Sequence, residues 1–138
     1  MNVAEISLNF ALNFLSIMKD CASSLNLTQS QALCICSIPF DGISQADLSK
    51  KLNLDISTLS RNLDKLIQLG LVVKQPSLID RRSYKIQLTP RGKEYYSKFI
   101  DLINNTINLN NDYLSLQNKE YLENILNELN WKLSLINK

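Results

Sequence analysis

Residues 44–70, SQADLSKKLNLDISTLSRNLDKLIQLG, followed by residues 71–92, LVVKQPSLIDRRSYKIQLTPRG, decide the fold of this 138-residue chain. Ser44 stands where an N-cap is needed, with Asp47 three residues on, and Ala46, Leu48 and Leu52 form the inward set of a short helix. Asn53 and Leu54 make a turn, and Asp55 caps a second helix. In that helix Ile56, Leu59, Leu63 and Leu66 share one face, while Ser57, Thr58, Arg61, Asn62 and Lys65 occupy the other. Gly70 supplies a left-handed C-cap. Two short strands are predicted next, over residues 71–75 and 82–88; in the second, Tyr84, Ile86 and Leu88 alternate with Ser83, Lys85 and Gln87. The connecting loop, Pro76 to Arg81, is too long for a tight hairpin turn. Helix, turn, helix and protruding ribbon together read as a winged helix-turn-helix.

Outside this stretch the chain is helical. Residues 4–24 carry the stripe Ile6, Phe10, Phe14, Ile17 and Cys21, flanked by Leu8, Leu12, Leu15, Met18 and Ala22. That apolar face is wider than a surface helix needs. Thr28 and Gln31 form a capping box for a short buried helix that Pro39, Asp41 and Gly42 break off. Thr89 and Pro90 open a helix predicted to reach about Leu109, with Tyr96, Ile100, Ile103 and Ile107 as its stripe. A polar patch, Asn108 to Asp112, then marks a bend, and Asn118 is read as the cap of a last helix. That helix exposes Leu122, Ile125, Leu129, Leu133 and Ile136, with Leu126 and Trp131 nearby. The first and last helices are expected to pair, within and between subunits. The expected class is mainly α, a winged helix-turn-helix with a two-stranded β wing and N- and C-terminal dimerisation helices. All of 1–138 forms one domain, with a lobe over 28–88 and a helical dimerisation region over 1–25 and 89–138.

Charge is segregated. The net charge is only +2, yet residues 41–100 hold 11 Lys/Arg against 6 Asp/Glu, and the remainder holds 4 against 7. A cationic segment carrying a helix with hydroxyl, amide and guanidinium groups on its free face suits the major groove of double-stranded DNA. Adjacent Arg81 and Arg82 at the tip of a ribbon suit the minor groove. The chain has no histidine, which removes His-based acid–base chemistry and a His-ligated metal, and it has no glycine-rich phosphate loop. An enzyme is therefore not expected, nor a cofactor or metal. Cys21, Cys34 and Cys36 make no disulfide framework and read as reduced thiols. No apolar run approaches a membrane span and no signal peptide is evident, so a cytoplasmic protein is expected.

The motifs Ser44-Gln45-Ala46-Asp47-Leu48 through Leu59-Ser60-Arg61, Leu66 to Leu71, Asp80-Arg81-Arg82-Ser83 and Leu88-Thr89-Pro90-Arg91-Gly92 resemble the MarR family of winged-helix transcription regulators. The flanking helices follow the family's order, so the resemblance covers nearly the whole chain. It implies a homodimer on an inverted-repeat operator, commonly a repressor, released by a small aromatic or anionic ligand. It assigns Ser57, Thr58, Ser60 and Arg61 to groove reading, Ser44 and Gln45 to the neighbourhood of backbone phosphates, and Asp80 and Arg82 to the wing. Lys50, Lys65 and Lys74 are expected to add non-specific attraction for DNA, and Arg82 or Arg81 to reach the minor groove. An effector cavity is expected against Phe14, Met18, Cys21, Cys34 and Tyr96, with Arg91 and Lys93 as the nearby cations. The resemblance departs from the peroxide-sensing branch, which has a reactive cysteine near the start of its first helix, and from zinc sensors that use histidines. Two other readings compete: a cysteine-based redox regulator of the same fold, and a winged-helix module that binds only protein.

Overall fold

The computed structural model describes residues 1–80, 82–107 and 116–137. The chain divides into two compact units, Met1–Ile103 and Asn104–Lys138. In the first, α1 (Val3–Ser24) and α2 (Gln29–Ser37) precede a two-residue strand β1 (Ile43–Ser44), then α3 (Gln45–Leu52) and α4 (Ile56–Gln68). Strands β2 (Val72–Pro76) and β3 (Tyr84–Leu88) form the wing, and α5 (Pro90–Thr106) begins directly after it. The second unit holds the end of α5 and α6 (Leu116–Ile136).

Local signals set the helix ends. The Asn2 side chain accepts from the Glu5 N–H at 2.9 Å while the Glu5 carboxylate accepts from the Asn2 N–H at 2.8 Å, a capping box that starts α1. Thr28 and Gln31 make the same reciprocal pair ahead of α2, as expected. Helix α4 ends in a Schellman motif: Gly70 sits at φ +74°, its N–H donates to Ile67 O, and the Leu71 N–H donates to Leu66 O.

Ile35, Leu48, Leu59, Leu63, Leu66, Leu71, Val72 and Ile86 are fully buried and join α2, α3, α4 and the wing root in one core. The sheet is three-stranded, order β1-β3-β2 and antiparallel throughout, so the expected two-stranded wing gains an edge strand through Ile43 opposite Ile86 and Ser44 opposite Lys85. The strands also start later than expected. Leu71 gives its N–H to the end of α4, and the N–H groups of Arg82 and Ser83 are taken by Asp80.

Several expected core positions lie outside it. Ile56 is the first residue of α4, and its side chain, tilted toward the helix N-terminus, projects past the core into solvent. Ala46 is exposed for the same reason at the start of α3. Tyr84 is exposed because the wing has left the helical layer by that point; only Ile86 and Leu88 of its row are buried. In α5, Phe99 and Ile103 are buried, with Tyr96 and Ile100 half-buried, so Phe99 joins the expected stripe. Helix α5 ends at Thr106, short of Leu109, and the polar patch 108–112 lies outside the described residues. Asn118 falls inside α6, which begins at Leu116.

Helix α1 buries only Met18, Cys21 and Ala22 and leaves Ile6, Leu8, Phe10, Leu12 and Leu15 exposed. Considered by itself, α6 exposes Ile125, Leu126, Leu129, Trp131, Leu133, Leu135 and Ile136. Among the described residues no helix is long and apolar enough to cross a membrane.

Candidate nucleic-acid interface

The turn between α3 and α4 fixes the site. Asn53 adopts the left-handed region at φ 51° and ψ 45°, and the Leu54 N–H donates to Ser49 O. The Ser49 hydroxyl donates to Leu54 O at 2.6 Å, which closes the turn from the other side. Asp55 then caps α4: its Oδ1 accepts the Thr58 N–H at 2.7 Å and the Ser57 hydroxyl at 3.1 Å. Hydrogen bonding from Thr58, then from Ser57, with a smaller contribution from the Arg61 charge, holds the Asp55 carboxyl below the usual carboxylate range. The cap is therefore anionic at the positive end of the helix.

Ser57, Arg61 and Lys65 lie exposed along α4, as expected, and Thr58 and Ser60 are half-buried beside them. Two members of the polar set are committed within the lobe. The Asn62 amide donates to the Ser30 hydroxyl at 2.7 Å, so it joins α4 to α2 instead of standing on the free face. The Gln45 amide donates to the Ser60 hydroxyl at 3.0 Å, which ties the first turn of α3 to the middle of α4. Ser44 caps α3 by accepting the Asp47 N–H at 3.0 Å. Neither long-range bond is legible in the sequence, because their partners lie 32 and 15 residues away.

Beside this helix pair the wing is cationic. Lys74 on β2 and Lys85 and Arg82 on or next to β3 are exposed, and the Lys74 ammonium sits 4.4 Å from the centre of the Tyr84 ring. Asp80 acts on the backbone: its Oδ1 accepts the Arg82 N–H at 2.9 Å, so the carboxylate shapes the turn that presents Arg82. Arg81 lies outside the described residues.

Residues 69–71 and 89–92 brace the site from behind. The Thr89 hydroxyl donates to Gly70 O at 2.6 Å and accepts the Gly92 N–H at 3.0 Å. The Thr89 N–H donates to Leu71 O, and Gly92 lies so close that a Cβ there would collide with that carbonyl. The Arg91 guanidinium donates to Leu69 O at 3.2 Å and lies over the Tyr95 ring; Lys93 lies over Phe40. These two cations, expected to serve an effector, are thus engaged at the end of α4 and on an aromatic face.

Of the expected effector set, Met18, Cys21 and Cys34 are buried, and Phe14 and Tyr96 are half-buried, Tyr96 meeting Phe40 edge-on at 5.5 Å. None of the five lines the 420 Å³ cleft between the wing and the start of α3, or the 440 Å³ hollow beside the start of α1. The three cysteines form no disulfide, and burial pushes the Cys34 thiol up to about 12 and the Cys36 thiol up to about 11. Among the described residues no group of three or more His, Cys, Asp or Glu side chains could hold a metal.

A capped second helix with an exposed cationic face and an antiparallel wing beside it define a winged helix-turn-helix protein. Residues 25–84 match the sequence model of the MarR family. Over that segment the chain is similar to the family. It is 34% identical over 77 residues to the multiple antibiotic resistance protein MarR of Salmonella typhimurium, an alignment covering 55% of this chain and 54% of that protein. The chain spans about half the length of the curated relatives it matches. Its fold resembles the crystal structure of wild-type MarR from Escherichia coli in the apo form, with a TM-score of 0.79 at 23% identity, over 94% of this chain and 96% of that one. A mutant of the same Escherichia coli protein complexed with operator DNA gives a TM-score of 0.69 at 23% identity, over 92% of each chain.

Proposed function

We propose that this protein is a sequence-specific double-stranded DNA-binding transcriptional regulator that acts in the cytoplasm as a homodimer and represses its target. The observation that carries the reading is the exposed line Ser57, Arg61 and Lys65 on α4, next to a wing bearing Lys74, Arg82 and Lys85. Helix α4 enters the major groove, where Arg61 recognises a guanine edge or an adjacent phosphate. The wing lies along the neighbouring minor groove. The match of residues 25–84 to the MarR family model and the likeness to an operator-bound MarR structure support the same reading. A module that binds only protein would call for an uncharged or apolar free face, and this face carries Arg61 and Lys65.

The exposed apolar rows of α1 and α6 support a homodimer, since each leaves more large hydrophobic surface in water than a lone helix tolerates. A two-fold dimer places two copies of α4 about one helical turn apart on an inverted-repeat operator. Release is by a small aromatic acid that favours a lobe arrangement unsuited to DNA. Oxidation of Cys34 or Cys36 is the weaker trigger, because burial keeps both as thiols rather than the reactive thiolates.

The test is a salt titration on an operator selected from a random duplex pool. With several phosphate contacts per copy, affinity should fall about a thousandfold between low and physiological salt. Sedimentation should give twice the chain mass of 15.7 kDa. Salt-independent affinity, or a monomer that binds one operator tightly, would overturn the reading. Release is tested by adding aromatic acids at millimolar concentration to the preformed complex; unchanged operator affinity would leave a constitutive regulator.

A further inference from the structure

The tip of the wing carries the two most exposed large aliphatic side chains among the described residues. Leu78 and Ile79 are as open to solvent as in an extended chain, at 104% and 98%. This is not slack in a loop. The Ser77 N–H donates to Ser83 O, the Ser83 N–H and hydroxyl donate to Asp80 O, and the Arg82 N–H donates to Asp80 Oδ1. The Ser77 hydroxyl in turn accepts the N–H groups of Ile79 at 3.2 Å and Asp80 at 3.4 Å. A closed turn therefore holds both aliphatics outward, where they bury nothing for the lobe.

Their setting selects a partner. The exposed cations Lys74, Lys85 and Arg82 stand just below the tip, and the one carboxylate of the turn, Asp80, is engaged with a backbone N–H. The ribbon also projects: burial is complete at Val72 and Leu88 and gone by Pro76 and Tyr84. A narrow ribbon with an apolar point and a cationic stem complements the minor groove, whose walls are apolar deoxyribose edges and whose rims are phosphates. Aliphatic side chains placed there can part a base step and kink the duplex.

We propose that Leu78 and Ile79 form an apolar wedge that enters the minor groove beside α4 and bends the operator. This rests on the reading of the chain as a DNA-binding protein, and it adds an activity, imposed bending, to that reading. A bend gives the wing a share in selectivity, since flexible pyrimidine–purine steps beneath the tip cost less to deform than stiff ones.

The experiment compares the full-length protein with a Leu78→Ser/Ile79→Ser variant on a selected operator labelled at both ends. Energy transfer between the labels reports the bend, and affinity is measured at several salt concentrations. The wild type should bend the duplex by at least about 20°, and the variant should leave it nearly straight. Affinity should fall about tenfold at every salt concentration, with the slope of log affinity against log salt unchanged, because apolar contact is lost and no charge is removed. Thermal stability should not change, since neither side chain is buried. A Leu78→Met/Ile79→Val variant should keep the bend. A wild-type complex with a straight duplex, or a serine variant with unchanged bend and affinity, would refute the wedge while leaving DNA binding intact. So would a loss accompanied by a shallower salt slope, the mark of missing phosphate contacts. Failure of the wild type to bind any selected duplex would instead overturn the DNA-binding reading, and the wedge with it.

Discussion

Breaking the bond between Gln45 and Ser60 should reveal whether α3 and α4 act as one rigid unit. The amide nitrogen lies 3.0 Å from the hydroxyl oxygen, and both residues are half-buried. A neutral hydrogen bond of this kind contributes about 0.5–1.5 kcal/mol net, and partial access of water to the freed partner keeps the cost near the middle of that range. Gln45→Ala should therefore lower stability by about 1 kcal/mol, which is about fivefold in the folding equilibrium. Ser60→Ala should cost slightly less, because alanine returns a few tenths of a kcal/mol, roughly, in helix propensity. Once either partner is gone the bond no longer exists, so the double variant should be no less stable than the weaker single. The cycle then shows a coupling of about 1 kcal/mol, read from urea midpoints of the four proteins at constant slope. Additive losses, within about 0.3 kcal/mol, would refute the tether and return the Gln45 amide to other partners. A tether also has a signature on DNA: Gln45→Ala should weaken selected and random duplex by the same factor.

Arg61→Ala should cost about 1–3 kcal/mol of discrimination between selected and random duplex, whereas Lys65→Ala should weaken both alike and make the salt slope shallower; equal losses for Arg61→Ala would show a backbone contact only. Cys34 and Cys36, pushed up to about 12 and about 11, should resist alkylation at pH 8 in the folded protein and react once it is denatured. Because folding raises both values, their contribution to stability is complete below the ordinary thiol pKa of about 8.5 and is lost as pH climbs from there toward the folded values. Unfolding midpoints should fall on that alkaline limb, and replacing both cysteines by alanine should flatten it. For Asp55 the sign is opposite: its depressed carboxyl contributes fully above about pH 4, the ordinary aspartate value, and loses that contribution as pH falls further. Asp55→Asn should flatten the acid limb of the same titration.

The parts of the fold legible in the sequence are those written within four residues. Thr28, Ser44, Asp55, Gly70 and Thr89 punctuate the chain through bonds to near neighbours, and each does what its position predicts. Asn2 and Glu5 carry the same signal at the start of α1 and could have been read. Strand β1 could not, because two residues have no periodicity and their partner strand lies more than forty residues away. Periodicity also reports which way a side chain faces but not where the core ends, which is why Ile56 and Tyr84 fall outside it. In the candidate interface, the exposed charges at Arg61 and Lys65 follow from helix phase. Strand phase instead puts Lys74 and Arg82 in the row of Ile86 and Leu88, and they are exposed because the wing has left the core by that point. Helix phase leaves Asn62 and Ser60 on the polar side, yet hydrogen bonds to Ser30 and from Gln45 give both an internal role. Such pairings depend on how elements cross, and a single sequence does not record that.

The junction of residues 69–71 with residues 89–92 has a mechanical consequence. Three successive carbonyls, Leu69, Gly70 and Leu71, accept from Arg91 and Thr89, and Gly92 seats the start of α5 directly against the last of them. The end of α4, the root of the wing and the first turn of α5 are thus joined by one main-chain bond, two side-chain bonds and the direct seating of Gly92 on the Leu71 carbonyl. A torque applied along the first turns of α5 would be passed to α4 through these short contacts. The lobe would then turn as a unit, and a movement of the first turns of α5 would change where α4 points rather than how it is built.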